Sequence, residues 1–345
     1  MNSNKYKDSY YELREITDLK DMVDSSARLF KDHVAYYVKE KRGGEYKPVY
    51  YPEVKADVDA LGTRLLDMGL KDEKIAVIGE NSYEWIISYW AVTNGTGVIV
   101  PLDKELPQAE IINLMNRAEI SAIIYSGKKA KLVDEAAKAV PTLKYRISFA
   151  EEEHSDDVFS WKKLKKEGAD LVEDGDRSFI DAKIDREAMC SLLFTSGTTG
   201  LAKGVMLSHK NISANTYNMS KYIKIIDDGI GLSVLPMHHT YELTCHVFTS
   251  FYQGISIAIC EGHNGESILH RAYPRSSEVR FSFFFTPEGW VLFESGAQGE
   301  EKDFYSTENM RGHCSGSIGL PGLKEAFRPN SSIPIFLHLS FSSSE

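Results

Sequence analysis

The residues with the clearest chemical content are gathered in 191–211. An apolar run through Leu192, Leu193 and Phe194 stops at Thr195, Ser196, Gly197, Thr198, Thr199 and Gly200, all hydroxylic or glycine. Leu201, Ala202 and Lys203 follow, after which Val205 and Leu207 resume a strand-like alternation. The spacing predicts a strand, a loop and a second strand. Glycine lets the backbone turn so that successive N–H groups face one anion, and the hydroxyls add donors around it. Lys203 supplies a point charge. Such a loop suits a polyphosphate, whose oxygens want many short donors and a cation with no side-chain bulk in between. A second group, Met237, His238, His239, Thr240, Tyr241 and Glu242, follows a strand-like run that ends at Pro236. With His246 it raises the question of zinc, but neighbours on an extended segment point in opposite directions and do not easily share an ion.

A Walker-type loop needs Gly-x-x-x-x-Gly-Lys-Ser/Thr leading into a helix. Here Lys203 stands three residues after Gly200, is followed by Gly204 and opens a strand pattern, so that type is excluded. Residues 195–203 instead resemble, at every position, the signature loop of the adenylate-forming superfamily: acyl-CoA synthetases, carrier-protein adenylation domains and beetle luciferases. Gly204, Val205, Met206, Leu207, Ser208 and His209 continue the likeness. The resemblance implies that Ser196, Gly197, Thr198, Thr199, Gly200 and Lys203 hold the β- and γ-phosphates of ATP, and that Thr195 assists magnesium. In long-chain acyl-CoA synthetases a strand ending in proline delivers a histidine to the carboxylate and acyl site; His239 matches it here, with His238 as second choice. The implied chemistry is AMP-forming acid–thiol ligation. A fatty acid carboxylate attacks the α-phosphorus of ATP, pyrophosphate leaves, and CoA thiolate then takes the acyl group. Lys203 and His239 are the expected catalytic residues, acting mainly by charge neutralisation and positioning. Medium-chain and aryl acids stay open as substrates.

Those residues need a frame to hold them. Helical spacing over 18–31 leads into a strand at 34–38, and an extended segment ends at Pro52, which opens a helix closed by Gly69. From Lys74 the pattern runs strand (75–78), helix (83–93), strand (98–101), then helix (107–118), strand (122–125), helix (131–139) and strand (145–149). Alternating strands and helices imply a parallel sheet. Trp85, Ile86, Tyr89 and Trp90 fall at helical intervals and read as core rather than a cofactor stack. Residues 150–187, rich in charge, read as a solvated excursion, with the lysines at 162, 163, 165 and 166 on an exposed helix face. Beyond the loop, 211–222 reads as a helix, 232–236 as a strand, 243–250 as a helix and 254–260 as a strand. The expected fold is thus α/β, the N-terminal part of an adenylate-forming large domain with stacked sheets and flanking helices, the small C-terminal domain being absent.

The 345 residues, 42% hydrophobic, can bury a sizeable core. A net charge of −10 argues against tracking nucleic acid and leaves ATP open, since a nucleotide needs only local positive charge. Four cysteines without metal spacing read as thiols of a reducing compartment. The expected setting is the cytoplasm, with peripheral membrane contact and the oligomeric state left open.

At about Gly262 the sequence changes character. Lysine outnumbers arginine before it and is outnumbered after it, phenylalanine becomes denser, and periodicity fails. The expected division is a partial AMP-binding domain over 1–261 and an aberrant tail over 262–345, explained by a shifted reading frame. The family's downstream motifs for magnesium, ribose and the small domain's lysine are not found there; Tyr305, Ser306, Thr307 and Glu308 imitate one of them without its glycine. Two further readings follow: a catalytically inactive nucleotide-binding fragment, and a carrier-protein adenylation domain.

Overall fold

The structure is a computed structural model that describes residues 13–39, 44–195, 202–222, 230–233, 235–260 and two short strands beyond them. The chain divides into two compact units, Met1–His263 and Asn264–Glu345. In chain order the first unit runs α1 (Leu19–Leu29), β1 (Val34–Lys39), β2 (Tyr46–Tyr50), α2 (Tyr51–Asp67), β3 (Lys74–Ile78), α3 (Tyr83–Ala91), β4 (Val98–Pro101), α4 (Gln108–Ala118) and β5 (Ala122–Tyr125). It continues with α5 (Ala130–Ala139), β6 (Tyr145–Ser148), β7 (Phe159–Ser160), α6 (Trp161–Glu173), β8 (Met189–Thr195), β9 (Lys203–Ser208) and α7 (His209–Tyr222). It closes with β10 (Ile230–Ser233), α8 (Thr249–Gln253) and β11 (Ser256–Ile259).

Local chemistry explains the boundaries. Asp18 caps α1 by accepting from the Asp21 N–H at 2.9 Å. Pro52 sits in the first turn of α2, where no N–H is needed, and the Glu53 carboxylate accepts the Tyr50 N–H at 2.6 Å. The chain leaves α2 through Gly69 at φ +76°, a left-handed turn that glycine adopts without strain.

Seven strands form the larger sheet in the order β7-β6-β5-β3-β4-β8-β9, parallel throughout except for the antiparallel pair β8–β9 at one edge. The second sheet, β10-β11-β1-β2, joins the N-terminal hairpin to strands more than 180 positions later, β1 lying parallel to β11. Trp85, Ile86, Tyr89 and Trp90 are buried, and the Trp90 ring lies 4.5 Å from Phe248 and 5.8 Å from Phe251, so the aromatic helix is core. The mixed α/β architecture matches the expectation.

Two local expectations need correction. Residues 150–187 are not a solvated excursion: β7 extends the large sheet and α6 buries Trp161 and Leu164. Gly168 of α6 lies so close to α2 that a Cβ there would stand 1.8 Å from the Ala60 carbonyl oxygen. Also, the helix expected over 243–250 is present but is longer and not of one type. Tyr241–Phe248 is a π-type helix, one residue wider per turn, before α8 tightens. In the second unit, β12 (Phe283–Thr286) and β13 (Gly289–Leu292) pair antiparallel.

Candidate functional site

The signature segment bridges β8 and β9. Thr195 is the last residue of β8, Lys203 the first of β9, and the two face each other in the antiparallel register. Ser196, Gly197, Thr198, Thr199 and Gly200 lie outside the described residues, so the structure fixes where their loop begins and ends. Thr195 and Lys203 are both exposed, and no ion pair ties Lys203 to a carboxylate among the described residues. An exposed ammonium of this kind fits a phosphate chain. Arg117 of α4 braces the exit: its Nη2 donates to the Ala202 carbonyl at 2.8 Å, and its guanidinium lies 5.7 Å from the centre of the Phe194 ring.

Because β3, β4, β5 and β8 are parallel, their carboxyl ends open on one edge, where ligands of open α/β sheets bind. Thr195 leaves that edge, as do Asn81 after β3 and Asp103 after β4. The histidine segment comes from the other sheet and meets the same edge. His238 Nε2 lies 3.3 Å from Asp103 Oδ1, close enough for charge interaction but not aligned as a hydrogen bond. Its side chain is 8% exposed, whereas His239 stands in solvent.

Contrary to the expectation for an extended segment, the neighbouring histidines do not point apart. Residues 237–239 form a turn rather than a strand, the His239 N–H donating to the Pro236 carbonyl at 3.0 Å, and the two rings are 4.3 Å apart. Burial, assisted by His239 and opposed by Asp103, lowers the His238 pKa to about 4, so its ring is neutral at pH 7. His246 is elsewhere engaged. Its Nδ1 lies 2.9 Å from Glu242 Oε1, one π-helical turn below, with Glu242 fully buried. Among the described residues no group of three such side chains is arranged to hold a metal ion.

Sequence reasoning named Lys203, Thr195, His239 and His238, and missed Asn81 and Arg117. The Asn81 Nδ2 donates to the Leu235 carbonyl at 2.7 Å and to Ser233 Oγ at 3.2 Å, while its Oδ1 accepts the Met237 N–H at 2.9 Å. Its signal in the sequence was slight: a polar residue just past a parallel strand, in a run that also reads as a turn and helix cap. The basic run of α6 is neutralised. Lys162 pairs with Glu152, Lys163 with Glu153, Lys165 with Asp57 and Lys166 with Asp170. No helix among the described residues is long and apolar enough to cross a membrane.

Comparison with known proteins agrees with this layout. The family described as AMP-binding enzyme matches residues 23–316, a match that runs past residue 262. Long chain acyl-CoA synthetase 3 of Arabidopsis thaliana is 30% identical over 241 residues, 65% of this chain and 35% of that protein. Long-chain-fatty-acid–CoA ligase 5 of Mus musculus is 30% identical over 233 residues, 61% of this chain and 34% of its own length. The chain thus spans about a third of the curated relatives it matches. Among solved structures, a fatty acyl CoA synthetase of Mycobacterium tuberculosis superimposes with a TM-score of 0.63 at 18% identity, over 74% of this chain and 47% of that one. Two sheets of mainly parallel strands, the Thr195-to-Lys203 crossing and a match over most of the length lead to one conclusion: the chain belongs to the family of AMP-binding enzymes.

Proposed function

We propose that this site activates a long-chain fatty acid with ATP, forming an acyl-adenylate whose acyl group passes to CoA. The observation that carries the reading is the convergence, on one edge of the parallel sheet, of the Thr195–Lys203 crossing and the His238–His239 turn. In this reading Lys203 and the loop 196–200 hold the β- and γ-phosphates and neutralise charge as pyrophosphate departs. Thr195 assists magnesium. His239, exposed beside the largely buried side chain of His238, shapes the carboxylate end, and burial keeps His238 neutral at pH 7. The long-chain choice is supported by the acyl-CoA synthetase and ligase relatives.

The test is ATP–pyrophosphate exchange on the purified chain with a panel of fatty acids, alongside Lys203→Ala. Acid-dependent exchange that falls by about 100-fold in the variant is the expected result, the loss of a charge made for the transition state. Folded protein without exchange overturns the reading for this chain and favours a nucleotide-binding protein without turnover. Exchange without thioester formation on CoA favours a carrier-protein adenylation domain.

A further inference from the structure

Among the described residues, the Asn81 side chain ties the carboxyl edge of the large sheet to the segment bearing the histidines by four hydrogen bonds, two to Ser233 and one each to Leu235 and Met237. It lies just past β3 and is 8% exposed. Its amide reaches both sides of Pro236: Nδ2 to Leu235 O and Ser233 Oγ, Oδ1 from Met237 N. Ser233 is also the residue at which the β10–β11 ladder ends, its carbonyl accepting the Cys260 N–H at 3.1 Å. Asp103, past the adjacent strand β4, then meets His238. Two neighbouring strand ends therefore grip one short segment, the first by its backbone and the second by its side chain. An asparagine suits the first grip because its short amide offers donors and an acceptor side by side in one plane. Leucine or alanine there would leave the Met237 N–H and the Leu235 carbonyl without their partner in a buried place.

We propose that Asn81 is a positioning residue of the acid site, fixing the backbone on both sides of Pro236 so that His238 docks on Asp103 and His239 is presented to the substrate carboxylate. This rests on the ligase reading for its substrate and on the geometry alone for the docking.

The two parts are tested separately. Histidine ring NMR titrations of the wild type and of Asn81→Ala read the docking; the groups that face His238 are His239, Asp103, Lys104 and Glu105. In the wild type His238 titrates far below the ordinary histidine value. In Asn81→Ala it moves up toward that value while His209 of α7, buried elsewhere and also lowered, stays where it was. An unmoved His238 in the folded variant overturns the proposal, and so does a parallel shift of His209, which would signal general loosening. Asn81→Asp keeps the acceptor for Met237 and loses the donor, so it carries the same test if Asn81→Ala does not fold; failure of both to fold overturns the proposal in favour of a purely structural Asn81. Exchange with palmitate reads the substrate: the KM for the acid rises about tenfold in Asn81→Ala, as displaced reacting groups require, with the KM for ATP unchanged. A rise in both KM values overturns the positioning role. Absence of exchange in the wild type counts against the ligase reading, and the titration then decides on Asn81 by itself.

Discussion

Lowering the His238 pKa to about 4 has a consequence for stability as well as for charge. The unfolded chain takes up this proton near pH 6.5 and the folded one only near 4, so stability is full above 6.5 and is lost as pH falls through that window. We expect the denaturant midpoint of the wild type to drop between pH 6.5 and 4, and that of His238→Gln to drop less. The slope is reduced rather than abolished because His209, also lowered by burial, contributes in the same direction. Of the residues involved, the two ends of the loop were legible from spacing, since the apolar run that stops at Thr195 and the alternation that resumes after Lys203 mark the strands the structure shows there. Asn81 was not, because an asparagine beyond a strand is first of all a turn former. Nor was the different setting of the two histidines: it depends on the turn at 237–239, which sets one ring against Asp103 and the other in water.

At the level of elements, the dense charge of α6 masks its apolar stripe in the sequence. Trp161, Leu164 and Gly168 recur on one face, and the lysines between them find acidic partners on α2, on α6 itself and in the loop before it. The tight approach of α6 to α2 inverts an ordinary rule. In an exposed helix Gly→Ala gains about 1 kcal/mol, but a methyl at 168 meets the Ala60 carbonyl. Gly168→Ala should therefore destabilise the protein by about 1–3 kcal/mol in chemical denaturation. A stabilised variant would mean that the helices have room to part. The parallel strands and their helices were easier to foresee, because unbroken apolar runs such as 75–78 and Ala122–Tyr125, buried on both faces, alternate with segments whose apolar positions recur at a helical spacing. The π-type winding of Tyr241–Phe248 has no such mark, as one extra residue per turn leaves the local composition unchanged.

On the scale of the molecule, the compact unit that holds the site ends at His263, near the change in sequence character at Gly262. A chain ending after His263 should keep the cooperative unfolding transition and midpoint of the site-bearing unit, measured by circular dichroism. A large fall in the midpoint would show that the unit draws stability from beyond residue 263. What the sequence could not disclose at this scale was the partner of each strand in the smaller sheet, since pairing across the whole unit leaves no local trace. That pairing sets an order of events during synthesis. β1 and β2 leave the ribosome early, but β1 must wait for β11, roughly 200 residues later, which at about 5–20 residues per second is an interval of roughly 10–40 s. All the strands of the large sheet are available before β11 emerges. The first hairpin made is thus among the last to be completed, and through that interval its free edge is exposed to whatever chaperone or stray strand arrives first.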